Sequence, residues 1–489
     1  MGPRAAAVLV FGASAAVLVV EIAALRMLAP YLGLTLETST LVIGIALGAI
    51  ALGSWVGGWY ADRVDPRRLI GPALAISGVV VALTPVLLRV TAERSPALLV
   101  LVAAATILCP GALLSAVTPL VTKVRLTTIS ETGTVVGRLS GIATVGAIVG
   151  TVVTGFVLIS LLPVSDILVG LGGLLVLGGV VMEWHGRRWR SAGSLALVVA
   201  AGLGTGIAPG GCDAETRYHC VEVVADPERQ GGRTLVLDGL RHSYVDIDDP
   251  THLEFEYVRA LAAVTDASFP SGEPLDAYHL GGGGLTFPRY LEATRPGTRS
   301  LVSEIDGGVV EIDRELLGLE TGDGIGVRVE DGRLGLRRLD SDSRDLVVGD
   351  AFGGVSVPWH LTTREALIDI RRVLDNDGVY AVNLIDFGEL AFARAEVATM
   401  AEVFEHVDVV GAPSTVDVDP AEREGGNLVA VGSDRPLDLE AIEAGLAARD
   451  TGWTAIGGDD VATWVGDAQI LTDDHAPVDQ LLQPYNFQS

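Results

Sequence analysis

Residues 278–285 read Tyr278-His279-Leu280-Gly281-Gly282-Gly283-Gly284-Leu285, and these four glycines between a strand-like run and a helical run decide the class of the second half. Glycine at such a junction admits positive φ and lets the backbone come close to a ligand. The N–H groups of the loop and of the following helix start favour an anionic or strongly polar group. A glycine-rich turn can also be no more than a tight turn, so its neighbours have to carry the reading. Strand-like pieces at 276–281, 299–305, 326–330, 345–350 and 378–385 alternate with helical patterns at 286–294, 308–318, 332–339, 362–375 and 389–403. Further strands are expected near 405–410 and 427–432. Strand–helix alternation predicts an α/β, Rossmann-like, doubly wound parallel sheet with its ligand at the carboxyl ends of the strands. Those ends carry acids. The strand after the glycine loop ends in Glu304-Ile305-Asp306, with Glu304 23 residues beyond Gly281. An acid at about that distance is positioned to accept from the ribose hydroxyls of a nucleoside. The third strand ends in Glu330-Asp331-Gly332 and the fourth in Gly349-Asp350-Ala351.

Upstream of the glycine loop, Val221–Ala225, Arg233–Leu237 and Tyr244–Ile247 form a small β region over 220–248, and a helix is expected from about Pro250 to Thr265. Before residue 210 the pattern changes altogether. Apolar runs of bilayer-spanning length, about 17–25 residues, fall at 6–28, 38–60, 69–91, 97–120, 137–160, 162–182 and 192–208. The expectation is about seven transmembrane helices over 1–209, the last being the shortest. The first is not read as a cleavable signal peptide, because more spans follow it and no small-residue cleavage site does. Gly44, Gly48, Gly53, Gly57, Gly141, Gly146 and Gly150 allow helices to approach closely in lipid.

The charge divides the same way. The 489 residues carry 34 Lys+Arg and 61 Asp+Glu, and residues 1–209 hold only 13 of the basic and 8 of the acidic ones. A mean hydropathy of +0.44 is too high for an ordinary soluble protein, while a second half this acidic is no nucleic-acid binder. Short loops with Arg63, Arg67 and Arg68, with Lys123 and Arg125, and with Arg187, Arg188 and Arg190 point to the cytoplasm. Seven spans then put the acidic domain, 210–489, outside. Cys212 and Cys220 agree with that placement if they form a disulfide, which needs an oxidising compartment. Two reduced thiols in a cytoplasmic domain are the alternative. Two features of the first half remain open. Glu21, inside the first span near Arg26, is either a functional intramembrane acid or a structural pair with it. The stretch Gly58-Trp-Tyr-Ala-Asp62-Arg63 resembles the loop between the second and third helices of major-facilitator transporters, or is a plain basic turn.

Leu237-Asp238-Gly239, the glycine loop, Glu304-Ile305-Asp306, Asp331-Gly332 and Asp350 occur in the order seen in spermidine synthases, the polyamine aminopropyltransferases. The resemblance covers about 215–435, and a multi-helix part followed by such a domain looks like the membrane-fused spermidine synthase-like proteins. The closing Leu471-Thr472-Asp473-Asp474-His475-Ala476-Pro477-Val478 also resembles that group. The resemblance implies a nucleoside-binding core over about 250–435 and a C-terminal segment over 436–489. Gly281, Gly282, Gly283 and Gly284 would form the cofactor loop, Glu304 would hold the ribose, and Asp331 with Gly332 would meet the adenine. Asp350 would be the catalytic acid that positions and deprotonates the attacking amine. It further implies decarboxylated S-adenosylmethionine as co-substrate, a small polyamine as acceptor, and a chain seated in a lipid bilayer, with room for a homo-oligomer.

The departures from that family are specific. Gly284 stands where those enzymes carry an Asp for the cofactor's amino group, Asp350-Ala351-Phe352-Gly353-Gly354 lacks their second acid, and His242 replaces their Gln. Residues 249–257 replace their acid-and-tyrosine gate in a register the sequence does not fix. The nucleoside side is thus better kept than the amine side. Two other readings stand beside aminopropyl transfer. One is an S-adenosylmethionine-dependent methyltransferase on the same fold. The other is a transporter-like or sensor protein that binds polyamines or nucleosides without catalysis. His242, His252, His279, His360 and His475 form no ligand-spaced pair, so no metal is expected.

Overall fold

The computed structural model describes residues 1–32, 36–92, 94, 96–126, 132–185, 212–353, 356–417 and 423–482. It divides into two compact units, Met1–Cys220 and Val221–Ser489.

The first unit holds helices α1 (Pro3–Leu32), α2 (Leu36–Ala61), α3 (Arg67–Ala92), α4 (Pro96–Arg125), α5 (Thr132–Val153) and α6 (Val164–His185). All six are long and apolar enough to cross a bilayer. The seventh run expected at 192–208 lies outside the described residues. Small residues set the packing: Gly53 and Gly57 of α2 lie so close to Ala112 and Ala116 of α4 that a Cβ at either would overlap that helix. Small residues at these positions are what let two long apolar helices come into such close contact. The two ends of the bundle differ. At one, Lys123 Nζ meets Asp62 Oδ1 at 2.7 Å and Arg125 Nη1 donates to the Met1 carbonyl at 3.3 Å. Arg26 and Arg89 stand at the other, roughly 33 Å of helix rise from the starts of α1 and α3. There Arg89 Nη2 meets Glu215 Oε1 at 3.0 Å, and Arg26 Nη1 donates to the Tyr218 carbonyl at 2.5 Å. Glu215 lies in strand β1 (Ala214–Glu215), beside the disulfide Cys212–Cys220 with its Cα atoms 5.6 Å apart.

The second unit opens with an antiparallel meander of β2 (Cys220–Ala225), β3 (Gly232–Leu237) and β4 (Leu240–Asp246). Helix α7 (Glu256–Ser268) starts six residues later than the expected Pro250. The Asp249 carboxylate accepts from Thr251 N and Oγ1 at 3.1 and 2.6 Å, closing a turn where helix was expected. The alternation then runs β5 (Asp276–Leu280), α8 (Thr286–Thr294), β6 (Arg299–Glu304), α9 (Gly307–Leu316), β7 (Ile325–Val329) and α10 (Gly332–Leu336). It continues through β8 (Arg344–Gly349), α11 (Arg364–Val373), β9 (Leu374–Asp386), α12 (Ala391–Ala401), β10 (His406–Gly411), β11 (Gly426–Ser433) and β12 (Thr454–Gly457).

These strands form one sheet in the order β12-β10-β11-β9-β8-β5-β6-β7. From β9 to β7 every pairing is parallel, as the alternation predicts, whereas β11, β10 and β12 are antiparallel additions. Apolar periodicity is the same in both directions, so the sequence pattern does not separate the two. Side chains alternate across the sheet: Tyr278, Val347, Tyr380 and Val382 enter one core, while Ala277, Leu346, Val348 and Ala381 enter the other. Helices cover both faces, which leaves ligand access at the strand ends. Because β5 lies between β8 and β6, the glycine loop, Asp350 and Glu304 emerge side by side.

Candidate functional site

The glycine loop leaves β5 with Gly281 at φ +91°. A Cβ at that position would fall on the Asp350 carbonyl, so the close passage of the two strand ends requires glycine. Glu304 then ties the loop down. Its Oε2 accepts from Gly282 N at 2.8 Å and Gly283 N at 3.3 Å, and its Oε1 accepts from Asp306 N at 2.8 Å. Gly284 N donates to Ser243 Oγ of β4 at 3.0 Å, so the meander closes the far side of the loop. Asp306 is fully buried and caps α9 by accepting from Gly308 N at 3.0 Å.

The next strand end is built differently. Asp331 caps α10, its Oδ1 accepting from Leu334 N at 2.9 Å, while its Oδ2 lies 3.0 Å from His360 Nε2. Gly332 packs on the end of β5: its carbonyl accepts from Tyr278 Oη at 3.0 Å, and a Cβ there would press on Leu280. Glu330 accepts from Ser303 Oγ at 3.1 Å and pairs with Arg338.

Asp350 stands at the end of β8 on the wall of a cavity of about 600 Å³, lined also by Tyr257, Asn383 and Asn427. Asn383 Nδ2 donates to its Oδ1 at 2.9 Å and Tyr257 Oη donates to its Oδ2 at 3.0 Å. Asn427 Nδ2 in turn donates to Asn383 Oδ1 at 2.9 Å, which fixes the amide with its nitrogen towards the acid. Desolvation raises the Asp350 carboxyl to about 6, against the lowering effect of those two donors. The same burial, with the neighbouring carboxylate, pushes the Tyr257 phenol well above its usual value, so it stays a donor. A carboxyl near 6 with fixed donors is suited to taking a proton near neutral pH. Glu254 and Glu256 add negative charge to the cavity, and the Arg241 guanidinium lies 5.1 Å over the Phe255 ring on its wall.

The structure therefore brings Gly281–Gly284, Glu304 and Asp350 together, with Asp331 and Gly332 joined to them through the end of β5. Cys212 and Cys220 are not part of it and bond to each other. Tyr257, Asn383, Asn427 and His360 escape a reading from sequence. Tyr257 sits within a stretch whose register is ambiguous there. Asn383 leaves a faint trace as a buried polar residue within the apolar run Tyr380-Ala381-Val382-Asn383-Leu384-Ile385. His279, fully desolvated, is held down to about 3 and hydrogen-bonds Ser300 Oγ at 3.2 Å within the sheet. Among the described residues no three His, Cys, Asp or Glu side chains are grouped to hold a metal.

No family model matches the chain. It is 27% identical over 287 residues to the probable polyamine aminopropyl transferase of Bifidobacterium longum, covering 55% of this chain and 61% of that one. It is 28% identical over 142 residues to the polyamine aminopropyltransferase of Chromobacterium violaceum, covering 29% of this chain and 53% of that one. The chain thus spans between half and two thirds of the length of these curated relatives. Among solved structures, a probable spermidine synthase from Corynebacterium glutamicum aligns with a TM-score of 0.50 at 28% identity, over 56% of this chain and 98% of its own. The chain is spermidine synthase-like, and its α/β unit has the spermidine synthase and methyltransferase type of fold.

Proposed function

We propose that the protein is a membrane-anchored aminopropyltransferase, moving the aminopropyl group of decarboxylated S-adenosylmethionine to a small polyamine. The observation that carries this reading is Asp350: a carboxyl near 6, held by two donors, on the wall of an acidic cavity beside the glycine loop. In the family it resembles, an acid here faces the amine. Glu304 suits the ribose, since its carboxylate already lies against the loop N–H groups, and Asp331 suits the exocyclic amine of adenine. The residues fit the nucleoside. They supply no carboxylate at Gly284 for the amino end of the propyl chain. Asp350 takes the proton that the acceptor nitrogen sheds as it bonds to the propyl carbon. The carbon–sulfur bond breaks with its electron pair remaining on sulfur, and methylthioadenosine leaves.

The test is direct. The purified full chain, given putrescine and decarboxylated S-adenosylmethionine, releases methylthioadenosine, and Asp350→Asn lowers the rate of release by at least about 100-fold. Transfer from S-adenosylmethionine instead, with S-adenosylhomocysteine as product, supports the methyltransferase reading. Nucleoside binding with neither product supports a binding protein, the reading that Gly284 favours.

We also infer a multi-pass membrane protein whose chain leaves the helical unit on the side opposite its arginine-rich loops. Supporting this, Glu215 and Tyr218 contact Arg89 and Arg26 at the bundle end away from Asp62 and Lys123. The Cys212–Cys220 disulfide is of the kind kept in oxidising compartments. A membrane-impermeant thiol label on whole cells reaches these cysteines only after reduction. Labelling that requires permeabilisation contradicts the outside placement.

A further inference from the structure

The segment Leu471-Thr472-Asp473-Asp474-His475 has no part in the site described above, yet its contacts lead straight to it. Asp473 clamps Arg333 in a bidentate pair, Oδ1 to Nη1 at 2.7 Å and Oδ2 to Nη2 at 2.8 Å. The segment is itself anchored. Thr363 Oγ1 donates to Asp473 Oδ1 at 2.7 Å, Asp473 N donates to Glu365 Oε2 at 2.9 Å, and Leu471 N donates to Thr399 Oγ1 at 2.9 Å. Arg333 is only 7% exposed, so it needs that partner. Its Nη1 also donates to the His360 carbonyl at 3.0 Å, and His360 Nε2 lies 3.0 Å from Asp331 Oδ2. Two residues before Arg333 in the chain, the same Asp331 caps α10.

We propose that the Asp473–Arg333 pair is the positioning element of the nucleoside subsite, fixing His360 and through it the Asp331 carboxylate. This rests on the reading that Asp331 meets the base. A carboxylate capping a helix with one oxygen has its second free to swing, and His360 fixes that second oxygen. Arg333 holds the His360 backbone, and Asp473 holds Arg333. The closing motif of the chain thus serves the co-substrate side of the reaction and leaves the amine side alone.

The experiment uses the full chain in detergent, with methylthioadenosine as the calorimetric probe and steady-state kinetics in both substrates. Asp473→Asn is expected to weaken methylthioadenosine about tenfold, the scale of coupling within one hydrogen-bond network. The KM for decarboxylated S-adenosylmethionine rises by a similar factor, while the KM for the amine and kcat stay near wild type. Asp473→Glu restores most of the affinity. His360→Ala, which leaves the clamp intact, reproduces the loss. If Asp473→Asn fails to fold, Thr363→Val and His360→Ala decide the matter. Nucleoside affinity within twofold of wild type in these variants overturns the proposal. So does a rise in both KM values together with a lower melting temperature, the mark of a merely structural clamp. A wild-type chain that binds no methylthioadenosine sinks the underlying reading of the site instead.

Discussion

Asn383 holds Asp350 from the neighbouring strand, its Nδ2 donating to Oδ1 at 2.9 Å, and Asn427 holds Asn383 in turn. The relay runs across β8, β9 and β11, and it sets both where the carboxylate points and how readily it loses its proton. Desolvation alone drives the acid upward, and the two donors keep the proton affinity near that of a useful base.

Replacing the acid separates binding from turnover. Asp350→Asn removes the proposed proton acceptor, and the rate of methylthioadenosine release should fall by about 10²- to 10⁴-fold. Calorimetric affinity for methylthioadenosine should stay close to wild type. Equal losses in both would remove Asp350 from the chemistry.

The pH dependence follows from the direction of the shift. In the proposed transfer Asp350 acts as the carboxylate, so kcat should rise through about pH 6 and then level off. Stability goes the other way. A carboxyl raised in the folded state contributes stability below its unfolded value, and that contribution is lost as pH rises through about 6. Asp350→Asn should therefore raise the urea midpoint at pH 7.5 while leaving it little changed at pH 4. Asn383→Leu, which removes a donor to the charged form, should move the acidic limb of the rate profile to higher pH. A limb that stays put would mean that Asn383 does not tune the acid.

Glu304 and Asp306, either side of Ile305, are strand-end acids with separable duties. Glu304 accepts from loop N–H groups at the strand end, whereas Asp306 is buried and caps α9. Glu304→Ala should weaken methylthioadenosine by about 10- to 100-fold, the worth of hydrogen bonds to a charged acceptor. Asp306→Ala should cost about 1–2 kcal/mol of stability, as a lost N-cap does, with little change in affinity. Calorimetry and denaturant melts on the two variants check the division, and exchanged phenotypes would reverse it.

The strand ends were legible because chemistry and topology meet there. Gly281, Glu304, Asp331 and Asp350 close four strands of a parallel sheet, and one reading of periodicity places them all. Tyr257 and Asn383 were not legible, because each reaches Asp350 across the tertiary fold, from α7 and β9 respectively. The turn at Asp249 hid the register of the first, and the apolar strand hid the second. His360 had no local signal at all: its role depends on a contact with Asp331, 29 residues earlier in the chain. The antiparallel edge of β10, β11 and β12 escaped for a different reason, since alternation alone carries no strand direction.

Gly284 poses the sharpest question about the amine end of the co-substrate. The family resemblance puts an Asp there, but a Cβ at 284 would lie 2.8 Å from Val245 Cγ2 and 3.0 Å from Ser243 Cβ. The meander has closed over the position, so the missing acid and the β4 side chains form one coupled change. Gly284→Asp alone should overpack the loop, costing about 1–3 kcal/mol, without lowering the KM for decarboxylated S-adenosylmethionine. Combined with Val245→Ala, which removes the nearer obstacle, the same substitution should recover most of that stability and lower this KM. Melting curves and kinetics on the single and double variants test the coupling. A single Gly284→Asp chain with wild-type stability and a lowered KM would show instead that the loop has room for the acid and that β4 does not exclude it.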